Sequence, residues 1–210
     1  MTPRARGGQA AAAAVPVAKP GSQYLDKAAL VRAAADLADR VGWDNLTLSQ
    51  VAKDVNRHVT SLYAHVDSLD ALRREVTLLA LDELADEVWR AALGRTGEDA
   101  LAAIAAVERA YAREHPGRQA AMFLRPQDDD EEFRARGLRL AEPIRATLRS
   151  FGLDDEQVVL AHGVFSSALR GLTMAEVNGT YPFADVDETH EQLIHLFAAA
   201  LSTGQWPVKE

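Results

Sequence analysis

Within LTLSQVAKDVNRHVTSLYAHV (46–66), the side chains of Arg57, His58, Thr60, Ser61 and Tyr63 are closely spaced hydrogen-bond donors, and Val59 adds a methyl surface. Such donors suit base edges and phosphates in a DNA major groove, where a methyl can also meet thymine. They act there only if a short helix presents them and a second short helix braces it, as in a helix-turn-helix. Residues 47–54 and 58–64 have the length for such a pair, joined where the apolar spacing breaks at Asn56, Arg57 and His58. The same pattern also describes two small helices on the surface of an ordinary bundle.

Other chemistries find less support. Of six histidines, His190 and His195 are five apart, off the i,i+4 spacing that puts two metal ligands on one helix face. His162 falls within an apolar stripe, where a packed imidazole is expected, and His115 precedes Pro116 at a helix end, a place for capping or for facing the helix dipole. Carboxylates come in runs, and neither a nucleophile elbow nor a Gly-rich phosphate loop is present. No catalytic residue, metal site or cofactor is expected. The absence of cysteine excludes disulfides and thiolate sites and fits a reducing, cytoplasmic compartment. Trp89, Tyr111, Met122, Phe123, Phe165, Met174, Asn178, Tyr181 and Phe183 could line an apolar cavity with a few polar groups, or could simply be core.

The elements that must position these residues are helices throughout. Leu30, Ala34, Leu37 and Val41 step by four, three and four, and Gly42 ends that helix. Thr47 with Gln50 has the form of a capping box ahead of Leu48, Val51, Ala52 and Val55. Ser68 can cap a long helix to about Leu93, and a further one through Leu101, Ile104, Val107 and Tyr111 closes before Pro116-Gly117. A short apolar piece, Ala120 to Leu124, follows. The acidic run at 128–132 opens a helix to Phe151-Gly152, where negative charge suits the dipole. Val158, His162, Phe165, Leu169 and Leu172 then form a heptad-like stripe, and a last helix starts near Asp187. The pattern predicts an all-α fold of about nine helices with no strand, and no apolar run approaches the roughly 18 residues of a membrane span.

The net charge of −8 is unevenly distributed. Residues 1–66 carry eight Lys/Arg against five Asp/Glu, and residues 67–210 carry fifteen against twenty-six. The positive excess comes from residues 1–22, read as a flexible basic arm with Arg4, Arg6 and Lys19 and no acid. Residues 23–66 form the candidate DNA-binding unit, and 67–205 a larger helical unit.

"LTLSQVAKDV" followed by "SLYAHVDSLDAL" resembles the DNA-binding domain of the tetracycline-repressor-like (TetR) transcriptional regulators, through Gly42, Leu46-Thr47, Val51-Ala52, Leu62-Tyr63, His65-Val66, Ser68 and Leu72. The resemblance implies that Thr47, Tyr63 and His65 contact backbone phosphates. "YAREHPG", "RPQDDDEEF" and "ALRG" before "NGTYPFADVDETHEQLI" resemble the ligand-binding domain of a branch marked by Trp-His-Gly in its eighth helix; Arg170 stands here where His is commoner. Further departures are Asn56-Arg57-His58 for the usual Gly-Val-Ser turn, where Asn56 tolerates the left-handed conformation and so preserves the turn, and Leu69 for a frequent Lys. By resemblance, the chain is a regulator of double-stranded DNA, a homodimer through residues 155–177 and 187–202, and a repressor released from a palindromic operator by a small apolar effector in a pocket near Trp89, Phe123 and Phe165. A helical ligand-binding or scaffold protein that has lost DNA binding is the alternative.

Overall fold

The computed structural model describes residues 25–123, 130–180 and 185–203, and among these every regular element is helical. Helix α1 (Lys27–Val41) starts where the Asp26 carboxylate accepts a bond from the Ala29 N–H at 2.7 Å, and stops at Gly42, whose φ of 88° is open to glycine. A 3₁₀ turn at Trp43–Asn45 leads to α2 (Leu48–Asp54) and α3 (Val59–Leu62). Then come α4 (Leu69–Ala92), capped by Ser68, α5 (Gly97–Glu114), α6 (Pro116–Ala121) and α7 (Glu131–Arg149). Helix α8 (Asp155–Val177) opens on a full Asp154/Gln157 capping box, and α9 (Val186–Ser202) follows.

Nine α-helices are thus present among the described residues, the number expected. Helix α5 closes before Pro116, as expected, and Pro116 also starts α6, because the first helical residue needs no N–H donor and proline's fixed φ already suits it. The apolar piece expected from Ala120 onward is therefore the end of a helix, and Leu124 lies outside the described residues. His115 makes no side-chain cap bond; it turns toward α1 instead. The arm at 1–22, residues 125–129, Tyr181 and Phe183 also lie outside the described residues.

Two buried clusters divide the apolar residues. The first gathers Leu30, Leu37, Leu46, Val51 and Leu62, and also takes Leu72 and Val76 from α4 and Ala121 from α6. The second joins the rest of α4 to α5, α7, α8 and α9 through Leu84, Val88, Ile104, Ile144, Phe165, Leu169 and Phe197. Helix α4 belongs to both.

Helix α8 has mean hydropathy 1.3 over its most apolar window and, alone among the described helices, is long and apolar enough to cross a membrane. Polar residues interrupt it, so it holds no unbroken apolar run of that length. The stripe Val158, Phe165 and Leu169 packs into the second cluster, while Val159, Leu160 and Val164 lie exposed on other faces.

Candidate nucleic-acid interface and effector region

The turn between α2 and α3 is built from backbone bonds. The Arg57 N–H reaches the Ala52 carbonyl at 2.8 Å and the Asn56 N–H reaches Lys53 at 3.1 Å, the two bonds of a Schellman ending. That ending requires a left-handed residue, and Asn56 supplies it with φ 52°, the one non-glycine positive φ among the described residues. Asparagine therefore does the work of the usual glycine, as expected. His58 stands at the start of α3 without a side-chain cap; the Ser61 hydroxyl instead donates to the His58 carbonyl at 2.7 Å.

The predicted contact residues separate by burial. His58, Thr60, Ser61 and Tyr63 are exposed, Tyr63 by 53%, and Leu62 beneath them is fully buried, so α3 has one anchoring side and one open side. Val59 is half-buried and packs on the first cluster, which makes it chiefly a bracing residue. Arg57 and His65 are half-buried, and one Arg57 guanidinium nitrogen donates to the Asn56 carbonyl at 3.2 Å. Thr47 is exposed and caps α2, accepting from the Gln50 N–H at 3.3 Å. The return half of the expected capping box is altered: the Gln50 amide oxygen accepts from the Thr47 hydroxyl at 2.7 Å. Lys53, exposed in the last turn of α2, was not singled out from sequence and adds a cation beside the turn.

This head is tied to the remainder by two arginines. The Arg73 guanidinium from α4 donates to the carbonyls of Asp44 and Leu46 at 3.4 and 3.3 Å and lies over the Trp43 ring, 5.6 Å from its centroid. Arg118 of α6, almost wholly buried, reaches Asp39 at 2.7 Å, Asp36, and Glu83 at 3.3 Å. Its own N–H also donates to Asp39 at 2.9 Å, and a His115 ring nitrogen lies 3.1 Å from the same carboxylate. Gly117 lets α6 press directly on α1: a Cβ there would stand 2.2 Å from the Ala38 carbonyl carbon. Beside this latch opens a charged cleft of about 360 Å³ lined by Asp36, Glu83, Glu87, Arg90 and Tyr111 among others. Burial, reinforced by Glu83, pushes the Tyr111 phenol far up.

The three aromatic residues named for an effector pocket stand in different surroundings. Phe165 is fully buried, its ring 5.1 Å from that of Phe197. Phe123 is 53% exposed. Trp89 edges a shallow groove of about 230 Å³ with Leu93 and Pro143, and its indole N–H donates to the Arg139 carbonyl at 3.1 Å. That bond has a local cause: Pro143 has no N–H, so the carbonyl four residues before it lacks its helical donor, and Trp89 replaces it. Aromatic type alone could not tell this repair from a ligand contact. Among the described residues, no three His, Asp or Glu side chains stand close enough to hold a metal.

Comparison with known proteins agrees with this architecture. A family model described as "Tetracyclin repressor-like, C-terminal domain" matches residues 101–197. An uncharacterised HTH-type transcriptional regulator of Mycobacterium tuberculosis, Rv0681, is 37% identical over 186 residues, covering 88% of this chain and 84% of the relative. A second, YobS of Bacillus subtilis, is 32% identical over 108 residues, 51% of this chain and 56% of that one. Among solved structures, the TetR family protein ActR of Streptomyces coelicolor in complex with (S)-DNPA shares the fold with a TM-score of 0.65 at 20% identity, over 86% of this chain and 98% of that one.

Proposed function

The chain belongs to the tetracycline-repressor-like (TetR) family of helix-turn-helix transcriptional regulators, and on that premise we propose that it is a cytoplasmic repressor that two copies bring to a palindromic operator and a small effector releases. The observation that carries the reading is α3: anchored by Leu62, fixed by the Schellman turn at Asn56, and open along His58, Thr60, Ser61 and Tyr63. Thr60 and His58 face base edges, Tyr63, Thr47 and His65 hold phosphates, Arg57 adds charge where the family's usual Gly-Val-Ser turn is neutral, and Lys53 adds a second cation beside it.

One such head touches too few base pairs for useful specificity, so a second half-site is needed. The exposed apolar residues Val159, Leu160 and Val164 on α8 and Leu196 on α9 supply the face for a second copy, residues 155–177 and 187–202 pairing across a two-fold axis. An effector in the larger unit acts by favouring a state in which α4 and α6 hold the heads at a different separation, since a ligand shifts only the equilibrium it binds unequally. Arg73 and Arg118 are the rigid ties along which that change reaches α1 and the 3₁₀ turn.

Binding to the DNA upstream of its own coding sequence, titrated against salt, tests the reading. Lys53 and Arg57 on two heads give about four cations, so log K against log salt should fall with a slope of about −3.6, or more steeply if residues 1–22 take part. A slope near zero, or no binding, removes the repressor function.

A further inference from the structure

The interior between α5, α7 and α8 holds polar groups that packing does not require. Ser166, Arg170 and Thr173 follow one another on α8 by four and three residues and therefore share a face, with His162 one turn earlier. Ser166 is 7% and Thr173 3% exposed, yet neither hydroxyl oxygen has a hydrogen-bond partner among the described residues. Across from them stand Glu108 of α5, itself 7% exposed, and Arg145 of α7, whose Nε is buried and likewise unpartnered. Neither Arg145 nor Arg170 joins any of the ion pairs formed among the described residues, although most of the chain's other described arginines do.

A polar group buried without a partner carries its full desolvation cost, and a helix bundle seeking only packing would place Ala or Leu at these sites. Arg145 and Arg170 both act on His162 through their charge, so the two guanidiniums border the stretch of α8 that carries Ser166, and Thr173 lies two turns beyond it, about 10 Å along the helix. The local field is positive. Burial, with Arg145 and Arg170 adding to it, pushes His162 down to about 4, so it stays neutral near pH 7. Burial pushes the Glu108 carboxyl up, against the pull of Arg170. Two guanidinium charges set against one carboxyl leave an excess of one positive charge even with Glu108 ionised, and a single monoanion neutralises it.

We infer that the effector carries a carboxylate, received by the Arg145 and Arg170 guanidiniums and the Ser166 hydroxyl on the inner face of α8, while the Thr173 hydroxyl is left to a second polar group of the same molecule. The inference rests on the effector reading given above and changes its chemistry: the ligand is an organic acid with an apolar body rather than a wholly apolar molecule. The body lies against the neighbouring Phe165 and Leu169, and charge-assisted bonds orient the head.

The test compares benzoate with benzamide, its neutral isostere, by calorimetry and thermal melting of the full chain, with ionic strength matched by sodium chloride. Benzoate should bind roughly tenfold or more tightly than benzamide, and Arg170→Met and Ser166→Ala should each remove roughly a factor of ten from benzoate alone. Ser166→Ala keeps the test valid if Arg170→Met fails to fold. Equal binding of the two probes, or benzoate binding indifferent to both substitutions, overturns the carboxylate and leaves the effector reading intact. Binding of neither probe overturns the site. Operator binding is measured separately, so a chain that takes benzoate as described but ignores DNA would instead sink the repressor function.

Discussion

Gly117→Ala offers the sharpest check on how the head is held. In an open helix this change stabilises, since alanine loses less backbone entropy than glycine, by about 0.5–1 kcal/mol. At Gly117 the sign should reverse. The new Cβ would sit 2.2 Å from the Ala38 carbonyl carbon and 2.3 Å from its oxygen, both backbone atoms that cannot rotate away. Moving the nearer contact from 2.2 Å to the 3.4 Å where ordinary contact begins requires α6 to retreat by about 1.2 Å. That retreat stretches the 2.9 Å bond from the Arg118 N–H to Asp39 and the 2.7 Å guanidinium contact beside it. Overpacking of this kind costs about 1–3 kcal/mol, which for a chain of this size lowers Tm by roughly 2–12 °C. Gly137→Ala on α7, with nothing within 4 Å of its added Cβ, is the control and should raise Tm by roughly 1–4 °C. Because Ala38 lies on α1 of the reading head, the Gly117 variant should also bind its operator more weakly in fluorescence anisotropy, whereas the control should not. A Gly117→Ala protein as stable as the control, with unchanged operator affinity, would show that α6 does not bear on α1 as described.

Tyr63→Phe, with unaltered circular dichroism, should weaken operator binding roughly a hundredfold, about tenfold for each head, by removing one hydrogen bond to a charged phosphate at each; parental affinity would remove that role. Val164→Asp places a charge in the exposed face of α8 and should convert the dimer to monomer by light scattering, and a dimer persisting at low micromolar concentration would place the interface elsewhere. Asp130→Asn isolates a charge effect while keeping a good cap. The Arg74 guanidinium and then the Phe133 N–H hold this carboxyl down at about 2, so its stabilisation is complete above about pH 4 and is lost as pH falls through 2. The Tm gap between parent and variant should therefore close between pH 7 and pH 2, and a constant gap would refute the ion pair. Exchanging Arg57 and His58 for Val and Ser should alter base preference in a selection from random sites, and identical preferences would confine both residues to the turn.

Much of the fold was legible because helical caps are local. Gly42, Thr47 and Ser68 are read from their own sequence neighbourhoods, and each ends or begins a helix as its chemistry requires. The α2–α3 unit was legible for the same reason, down to the left-handed Asn56. What was not legible was also specific. The helix through Tyr111 does close before Pro116, but that Pro116 also opens the next helix was not read from it, although proline suits a first helical position. Trp89 and Phe123 were grouped with Phe165 by residue type, but type does not say which side of a helix meets another sixty residues away. Trp89 answers to Pro143, fifty-four positions on, and no local pattern couples the two.

The same limit explains why the effector's chemistry changed while the reading of the head did not. A helix face that meets water or DNA shows itself by polarity at regular spacing, because bulk solvent is its partner. A polar residue inside a bundle is visible in sequence only as a blemish in an apolar stripe, as His162 and Arg170 are in α8. Its meaning depends on whether the facing helices supply a partner. For Arg109 they do: Glu176 and Asp187 pair with it at 2.6 Å, so it is a structural tie between α5, α8 and α9. For the Arg145 Nε and the Ser166 and Thr173 hydroxyls no hydrogen-bond partner stands among the described residues, and the same kinds of side chain become a means of recognition. Burial with a partner makes a polar group part of the scaffold, whereas burial without one leaves its hydrogen-bonding capacity available to a ligand, and only the folded arrangement separates the two.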